Sequence, residues 1–300
     1  MDYIIESGDA GLPLRTFLRK KGFSSHMLIE MKRGEEAFFL NGHPVHLNAL
    51  LSAGDHLQIR LPQECSAEGL LPVGLDFGIL YEDEDLLVID KPAGMPCHPS
   101  PGNYDNTLAN ALARYFKEQG EPFTFRCINR LDRNTTGALI IARHALSGAI
   151  LSQAMKRRQI RRTYEALVEG NTPVEGRIDL PIGRKPGSII ERCVDREAGE
   201  RAETLFWTIG RYRGAAGSYS HIRLQLGTGR THQIRVHMGA VGHPLLGDDL
   251  YNRGGMQGMK RQALHSVRLE FVHPITGQEL RITSPLPKDM RALLDCAEDL

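Results

Sequence analysis

"NRLDRNTTGALIIAR", residues 129–143, sets four charged groups (Arg130, Asp132, Arg133 and Arg143) and two threonines around an apolar run, Ala138 to Ala142. The run is short and rich in branched residues, so it predicts a buried strand. A plain turn before such a strand needs Gly, Asn or Asp. It does not need an arginine two positions before a lone aspartate. Guanidinium groups on both sides suit a carboxylate that works ionised, as nucleophile or general base rather than as acid. The same residues also describe a turn aspartate making an Asx-type bond, and the local stretch does not choose between the two.

The charge around this stretch is one-sided. From Arg126 to Arg162 nine Lys and Arg residues accompany a single acid, Asp132, in a chain whose net charge is only +1. Such an excess suits a polyanion. For Lys156, Arg157 and Arg158 the alternative is a solvated helix C-terminus, which also favours cations. With 41% apolar and 24% charged residues over 300 positions, the composition is that of a soluble chain able to build one large domain and a small one. No apolar run approaches the roughly 18 residues needed to cross a bilayer, so no membrane partner is expected. The opening MDYIIESGDA lacks a basic n-region, and the five cysteines are scattered without a Cys-x-x-Cys pair. Both point to a reduced, cytoplasmic location.

Upstream, residues 1–62 read as a small module of zero net charge, with seven basic and seven acidic residues. "LPLRTFLRKKG" places Leu14, Phe17 and Leu18 on one helical face. "SSHMLIEMKRGE" offers a serine cap and a second helix. "AFFLNGHPVHL" predicts two strands around an Asn-Gly turn, and "LSAGDHLQIRLP" a turn and a last strand. This order resembles the ribosomal protein S-four type RNA-binding module, most tellingly in "NGHPV" and in "L-x-x-G-D-x-L-x-I". Residues 63–73 have no period and read as a linker. From residue 74 to 300 strands and helices mix as α+β, without a regular βαβ series. "ILYEDEDLLVIDKP" predicts a hairpin whose acidic turn, Glu82 to Asp85, is simply solvated. "NTLANALARYF" and "ALSGAILSQAMKRRQ" predict helices, "TYEALVEG" and "SHIRLQLG" strands. "THQIRVHMGAVG" predicts a helix capped by Thr231 and ended by Gly242.

Several chemistries are missing. No phosphate-binding P-loop, no G-x-G-x-x-G after a strand and no G-x-S-x-G elbow occurs. His43/His46 and His232/His237 lack the spacing of a helical zinc pair, and no cysteine cluster supports them. No metal and no cofactor is expected.

"NRLDRNTTGALIIA" resembles the catalytic motif of the RluA-type pseudouridine synthases, whose pattern runs His-Arg-Leu-Asp-x-x-Thr-Ser-Gly. Four further stretches match the same family in order: "VIDKPAGMPCHPS" (88–100), "RTYEALVEG" (162–170), "TGRTHQIRVHMGAVGHPLLGDDLY" (228–251) and "LHSVRLEFVHP" (264–274). Together they cover most of residues 79–285. The resemblance implies a mixed, mostly antiparallel sheet flanked by helices, behind a small N-terminal RNA-binding domain. It implies isomerisation of uridine in structured RNA, with large-subunit ribosomal RNA favoured over transfer RNA. Asp132 would be the nucleophile, and Tyr164 would stack on the uracil and help in proton removal. Arg235 would pair with Asp132, and Arg130 would fill the space left by the flipped base. Asn129, Thr135, Thr136, Arg230, His232 and Gln233 would meet the substrate, and Lys156, Arg157 and Arg158 would grip its backbone. Asn129 stands where histidine is usual and Thr136 where serine is usual. An RNA-binding assembly factor without activity is the main alternative. A nucleoside hydrolase would want a second carboxylate near Asp132, and residues 126–162 offer none.

Overall fold

The computed structural model describes residues 1–33, 37–62, 64–66, 69–214, 217–252 and 258–299. Its N-terminal part comprises β1 (Asp2–Ile4), α1 (Leu14–Lys20), α2 (Ser25–Arg33), β2 (Phe38–Leu40), β3 (His43–Pro44) and β4 (His56–Ile59). The strands form an antiparallel sheet in the order β1-β4-β2-β3. Leu14, Phe17 and Leu18 bury one face of α1, as their spacing predicts. The Ser24 hydroxyl accepts the Met27 N–H at the start of α2. Asn41 and Gly42 both take positive φ, the conformation a two-residue hairpin needs. The end of the stretch expected as the second helix, residues 34 and 35, lies outside the described residues. β1 has too few residues for its alternation to register in sequence, and was not anticipated.

The body contains β5 (Gly78–Glu82), β6 (Leu86–Lys91), α3 (Leu108–Gln119), β7 (Thr136–Ala142), α4 (Ala145–Lys156), β8 (Arg161–Glu169), β9 (Glu175–Asp179), β10 (Ile182–Arg184), β11 (Arg192–Val194), β12 (Glu203–Gly214), β13 (Gly217–Leu226), α5 (Gln233–Ala240), β14 (Leu264–Val272), β15 (Glu279–Thr283), α6 (Lys288–Asp295) and β16 (Glu298–Asp299). One large sheet runs β16-β12-β13-β8-β14-β7-β6-β5, with β15 added to β14 and β9 to β12. Among the described pairs only β7 and β14 are parallel. The continuous apolar run of β7 has a simple cause, since both its faces are covered. Leu139 and Ile141 pack with α3 and α5 on one side, while Ala138, Ile140 and Ala142 pack with Leu151 of α4 and Leu280 of β15 on the other.

Leu146 of α4 also belongs to the core of the N-terminal part, which is thereby seated on this helix. Of the expected linker, residues 63, 67 and 68 lie outside the described residues. Glu64 is tied down: it pairs with Arg126 at 2.8 Å and accepts the Ala145 N–H at the start of α4. No helix among the described residues is long and apolar enough to cross a membrane.

Two local expectations need correction. The acidic turn between β5 and β6 is not merely solvated. Asp85 is buried against His144 at 2.7 Å, and Asp83 accepts the N–H groups of Asp85 and Leu86 and lies 2.9 Å from His273. Distant histidines supply these partners, and no local pattern announces them. Thr231 does not cap α5 either. The cap position falls to His232, in the left-handed region at φ 58°, with no side-chain cap bond.

Candidate active site

Asp132 sits in the loop that leads into β7, so its position depends on how firmly residues 129–135 are held. Side-chain donors take four of the loop carbonyls. Cys127 donates to Asn129 O at 3.0 Å and Cys97 to Leu131 O at 3.3 Å. Lys91 donates to Arg133 O at 3.0 Å, and Arg261 to Asn134 O at 3.1 Å. Lys91 is fully buried and also caps the carbonyls of Pro92 and Met95. Burial lowers its ammonium to about 8, against the pull of the Cys97 and Asp132 charges. The loop closes on itself through the Thr135 N–H, which donates to Asp132 O at 3.0 Å. A loop with this many fixed carbonyls is a preorganised platform for one carboxylate.

That carboxylate faces a cleft of about 50 Å³ lined by Arg130, Asp132, Thr135, Tyr164, Arg230, His232, Gln233 and Arg235, with Leu131, Leu226, Ile234 and Leu264 as its apolar wall. The strand β8 brings Tyr164 from one side. The helix α5 brings Arg235 from the other. Tyr164 is buried, and desolvation raises its phenol above the ordinary value while the neighbouring Arg162 opposes the rise. The Arg235 Nη1 lies 3.6 Å from Asp132 Oδ2.

The expected Arg235–Asp132 pair is therefore the weaker half of a larger arrangement. Arg235 donates through Nε and Nη2 to both oxygens of Asp248, at 2.7 Å each. The Asp248 carboxylate has no solvent exposure, and it also accepts the N–H groups of Leu250 and Tyr251. The ring of Tyr251 covers the guanidinium at 5.0 Å. Such a fork-to-fork pair leaves the guanidinium one orientation, in which its third nitrogen faces Asp132. Burial opposes the charge on Arg235, but the Asp248 bonds outweigh it and raise its already high value further.

Not every expected substrate contact lies in the cleft with a free hand. Gln233 lines it, yet its oxygen accepts from Thr228 and from the Arg230 N–H, and its amide donates to Glu203 O and Thr204. It is a scaffold for the turn before α5. Arg230 is paired with Glu200. Asn129 is buried behind the loop: its oxygen accepts the Ile140 N–H at 2.9 Å, so the side chain acts as a strand partner for β7. Thr136 is also buried, with its hydroxyl 2.9 Å from His265. Lys156, Arg157 and Arg158 end α4. Arg157 and Arg158 line a separate groove of about 1050 Å³, shared with Lys20, Lys21, Arg161 and Arg281. Sequence reasoning missed Lys91, Asp248, Tyr251 and Arg261. The first three stand inside stretches quoted above, but nothing in residue type alone separates them from turn and core residues.

The family model described as RNA pseudouridylate synthase matches residues 85–240, from β6 to the end of α5. The chain belongs to the RNA pseudouridine synthase family. It is of the RluA type that its motifs resemble. It is 39% identical to the uncharacterized RNA pseudouridine synthase YjbO of Bacillus subtilis, over 94% of this chain and 98% of that one. It is 34% identical to the ribosomal large subunit pseudouridine synthase D of Xanthomonas campestris pv. campestris, over 92% and 86%. Among solved structures, human RNA pseudouridylate synthase domain containing 1 is similar, with a TM-score of 0.63 and 26% identity over 75% of this chain and 89% of that one. In this synthase the family match spans the Asp132 loop, Tyr164 and Arg235, but stops short of Asp248 and Tyr251, which contact Arg235 and His232.

Proposed function

We propose that this synthase isomerises uridine to pseudouridine in large-subunit ribosomal RNA, in the cytoplasm, with Asp132 as its nucleophile or base. The observation that carries the reading is one ionisable carboxylate on a pinned loop, facing a buried tyrosine and a guanidinium that cannot turn away. The reaction exchanges a nitrogen–carbon for a carbon–carbon glycosidic bond within one nucleotide, so it needs no redox partner and no group donor. The target base has to leave its stack to reach Asp132, at a cost of roughly a few kcal/mol. Arg130, exposed at the rim, takes the place of the flipped base. Asp132 then attacks the uracil ring, attacks the anomeric carbon, or removes a ribose proton. Tyr164 stacks on the base and helps in its final loss of a proton from carbon five. Phosphate contacts from the N-terminal module and from the basic end of α4 supply the grip.

The choice of ribosomal RNA rests on the relatives named for the large ribosomal subunit, which align with most of this chain. Transfer RNA is the second substrate class to test. Asn129 gives no support to an inactive assembly factor, because its amide orients the loop by bonding Ile140. A hydrolase is disfavoured too, since Asp132 is the single carboxylate among the described residues that line the cleft.

Tritium release from ribosomal and transfer RNA transcripts labelled at carbon five of uridine tests the reading. Wild type is expected to release label, and Asp132→Asn to lose on the order of 10³-fold or more while still binding RNA. Release by Asp132→Asn at the wild-type rate would sink the assignment of Asp132.

A further inference from the structure

His232 is held in a backbone conformation that few side chains adopt, at φ 58° and ψ 18°, directly at the mouth of α5. The conformation turns its imidazole into the cleft. There Nε2 lies 4.0 Å from Asp132 Oδ2, and Nδ1 lies 2.8 Å from the Tyr251 hydroxyl. The hydroxyl oxygen already accepts the Arg192 N–H at 2.8 Å. When that hydroxyl gives its one proton to Nδ1, the neutral ring carries its hydrogen on Nε2. Burial, joined by the charges of Arg235 and Arg192, keeps the imidazole below its ordinary value in spite of Asp132 and Asp248. The ring thus presents its Nε2 edge to the cleft beside the reacting carboxylate.

Three other donors that line the cleft are committed. Arg235 gives Nε and Nη2 to Asp248 and turns Nη1 toward Asp132. Gln233 spends its amide on Glu203 and Thr204. Arg230 is bound to Glu200 and to Arg201 O. When the bond from ribose to uracil breaks, electron density passes into the ring and collects on its carbonyl oxygens. A fixed donor at that place stabilises the departing base more than the bound uridine.

We infer that His232, held as its Nε2–H tautomer by the positioning residue Tyr251, hydrogen-bonds a uracil carbonyl and stabilises the negative charge that builds on the departing base. This rests on the proposed function and adds to it a leaving-group role. No proton is transferred in the step.

The test compares ribosomal RNA transcripts containing uridine or 5-fluorouridine, at excess enzyme in a single turnover. Loss of the N1-linked nucleoside is scored after nuclease digestion. Fluorine withdraws electrons, so the base departs with less help. His232→Ala is expected to slow the uridine RNA by about 10²-fold, and the 5-fluorouridine RNA at least several-fold less. Tyr251→Phe is expected to show the same inequality in smaller measure, which covers the case in which the alanine variant fails to fold. Equal slowing on both RNAs, in either folded variant, overturns the inference, because a structural defect does not sense the leaving group. A wild-type protein that isomerises neither RNA would overturn the proposed function instead.

Discussion

At the scale of single residues, the site is a question of who holds whom. Asp132 has a polar neighbour in Arg235, but the orientation of Arg235 comes from Asp248. Removing one partner of a buried, hydrogen-bonded pair leaves the other charge without compensation, at about 3–5 kcal/mol. Asp248→Ala is therefore expected to lower stability by that order in urea denaturation. It is also expected to lower the rate on RNA, since the guanidinium can swing away from Asp132. A variant as stable as wild type would show that another group takes over the guanidinium. Asn129 illustrates the opposite case. Its place in the motif suggested a meeting with substrate, whereas its buried amide serves the backbone of β7. Residue type and motif position could not separate these roles, because an amide that pairs with a strand and one that pairs with a nucleotide look the same in sequence.

At the scale of elements, two joints decide whether the site exists. The first is the parallel pairing of β7 and β14, where Gly137 takes φ 106° and a Cβ would lie 2.3 Å from Ser266 O. Gly137→Ala forces either a strained backbone or an opened joint beside the Asp132 loop. A loss of at least about 2–3 kcal/mol in chemical denaturation is expected. The second joint ties β8, which carries Tyr164, to β13. Across it Glu165 meets Arg223 at 2.9 Å and His221 at 3.0 Å. Burial opposes its ionisation, but these partners outweigh it and hold the carboxyl at about 2. A carboxyl lowered on folding stabilises above its unfolded value of about 4.5, and that gain is lost as pH falls toward 2. Allowing for screening by water, it is on the order of 2 kcal/mol. The stability difference between wild type and Glu165→Gln is expected to be full at pH 6 and to fade between about 4.5 and 2. A difference independent of pH would assign the effect to packing.

At the scale of the molecule, charge is sorted by place. The local excess of basic residues from 126 to 162 does not all face the cleft. Arg157, Arg158 and Arg161 meet Lys20 and Lys21 of the N-terminal part along a groove beside the core that α4 shares with it. Such a groove suits a backbone of phosphates running between the two parts. Neutralising Lys156, Arg157 and Arg158 together is expected to weaken RNA binding. It is also expected to reduce the slope of log K against log salt by about two. An unchanged slope would make these charges a helix end and nothing more.

The sequence alone determined the chemistry and most of the elements. Asp132, Tyr164 and Arg235 were legible because motif order survives whatever the loops do. The strands and helices around them were legible because burial on one face or two leaves a period in the chain. Only the tertiary structure decided what holds the site in place. Lys91, Arg261 and the two thiols reach the Asp132 loop from other segments. Asp248 reaches Arg235, and Tyr251 sets the tautomer of His232, across a turn that no period describes. The acidic turn at Asp83 and Asp85 was misread for the same reason, since its histidines come from residues 144 and 273. Partners brought together by folding leave no local mark, because a buried charge is compensated by whatever lies near it in space, not in the chain.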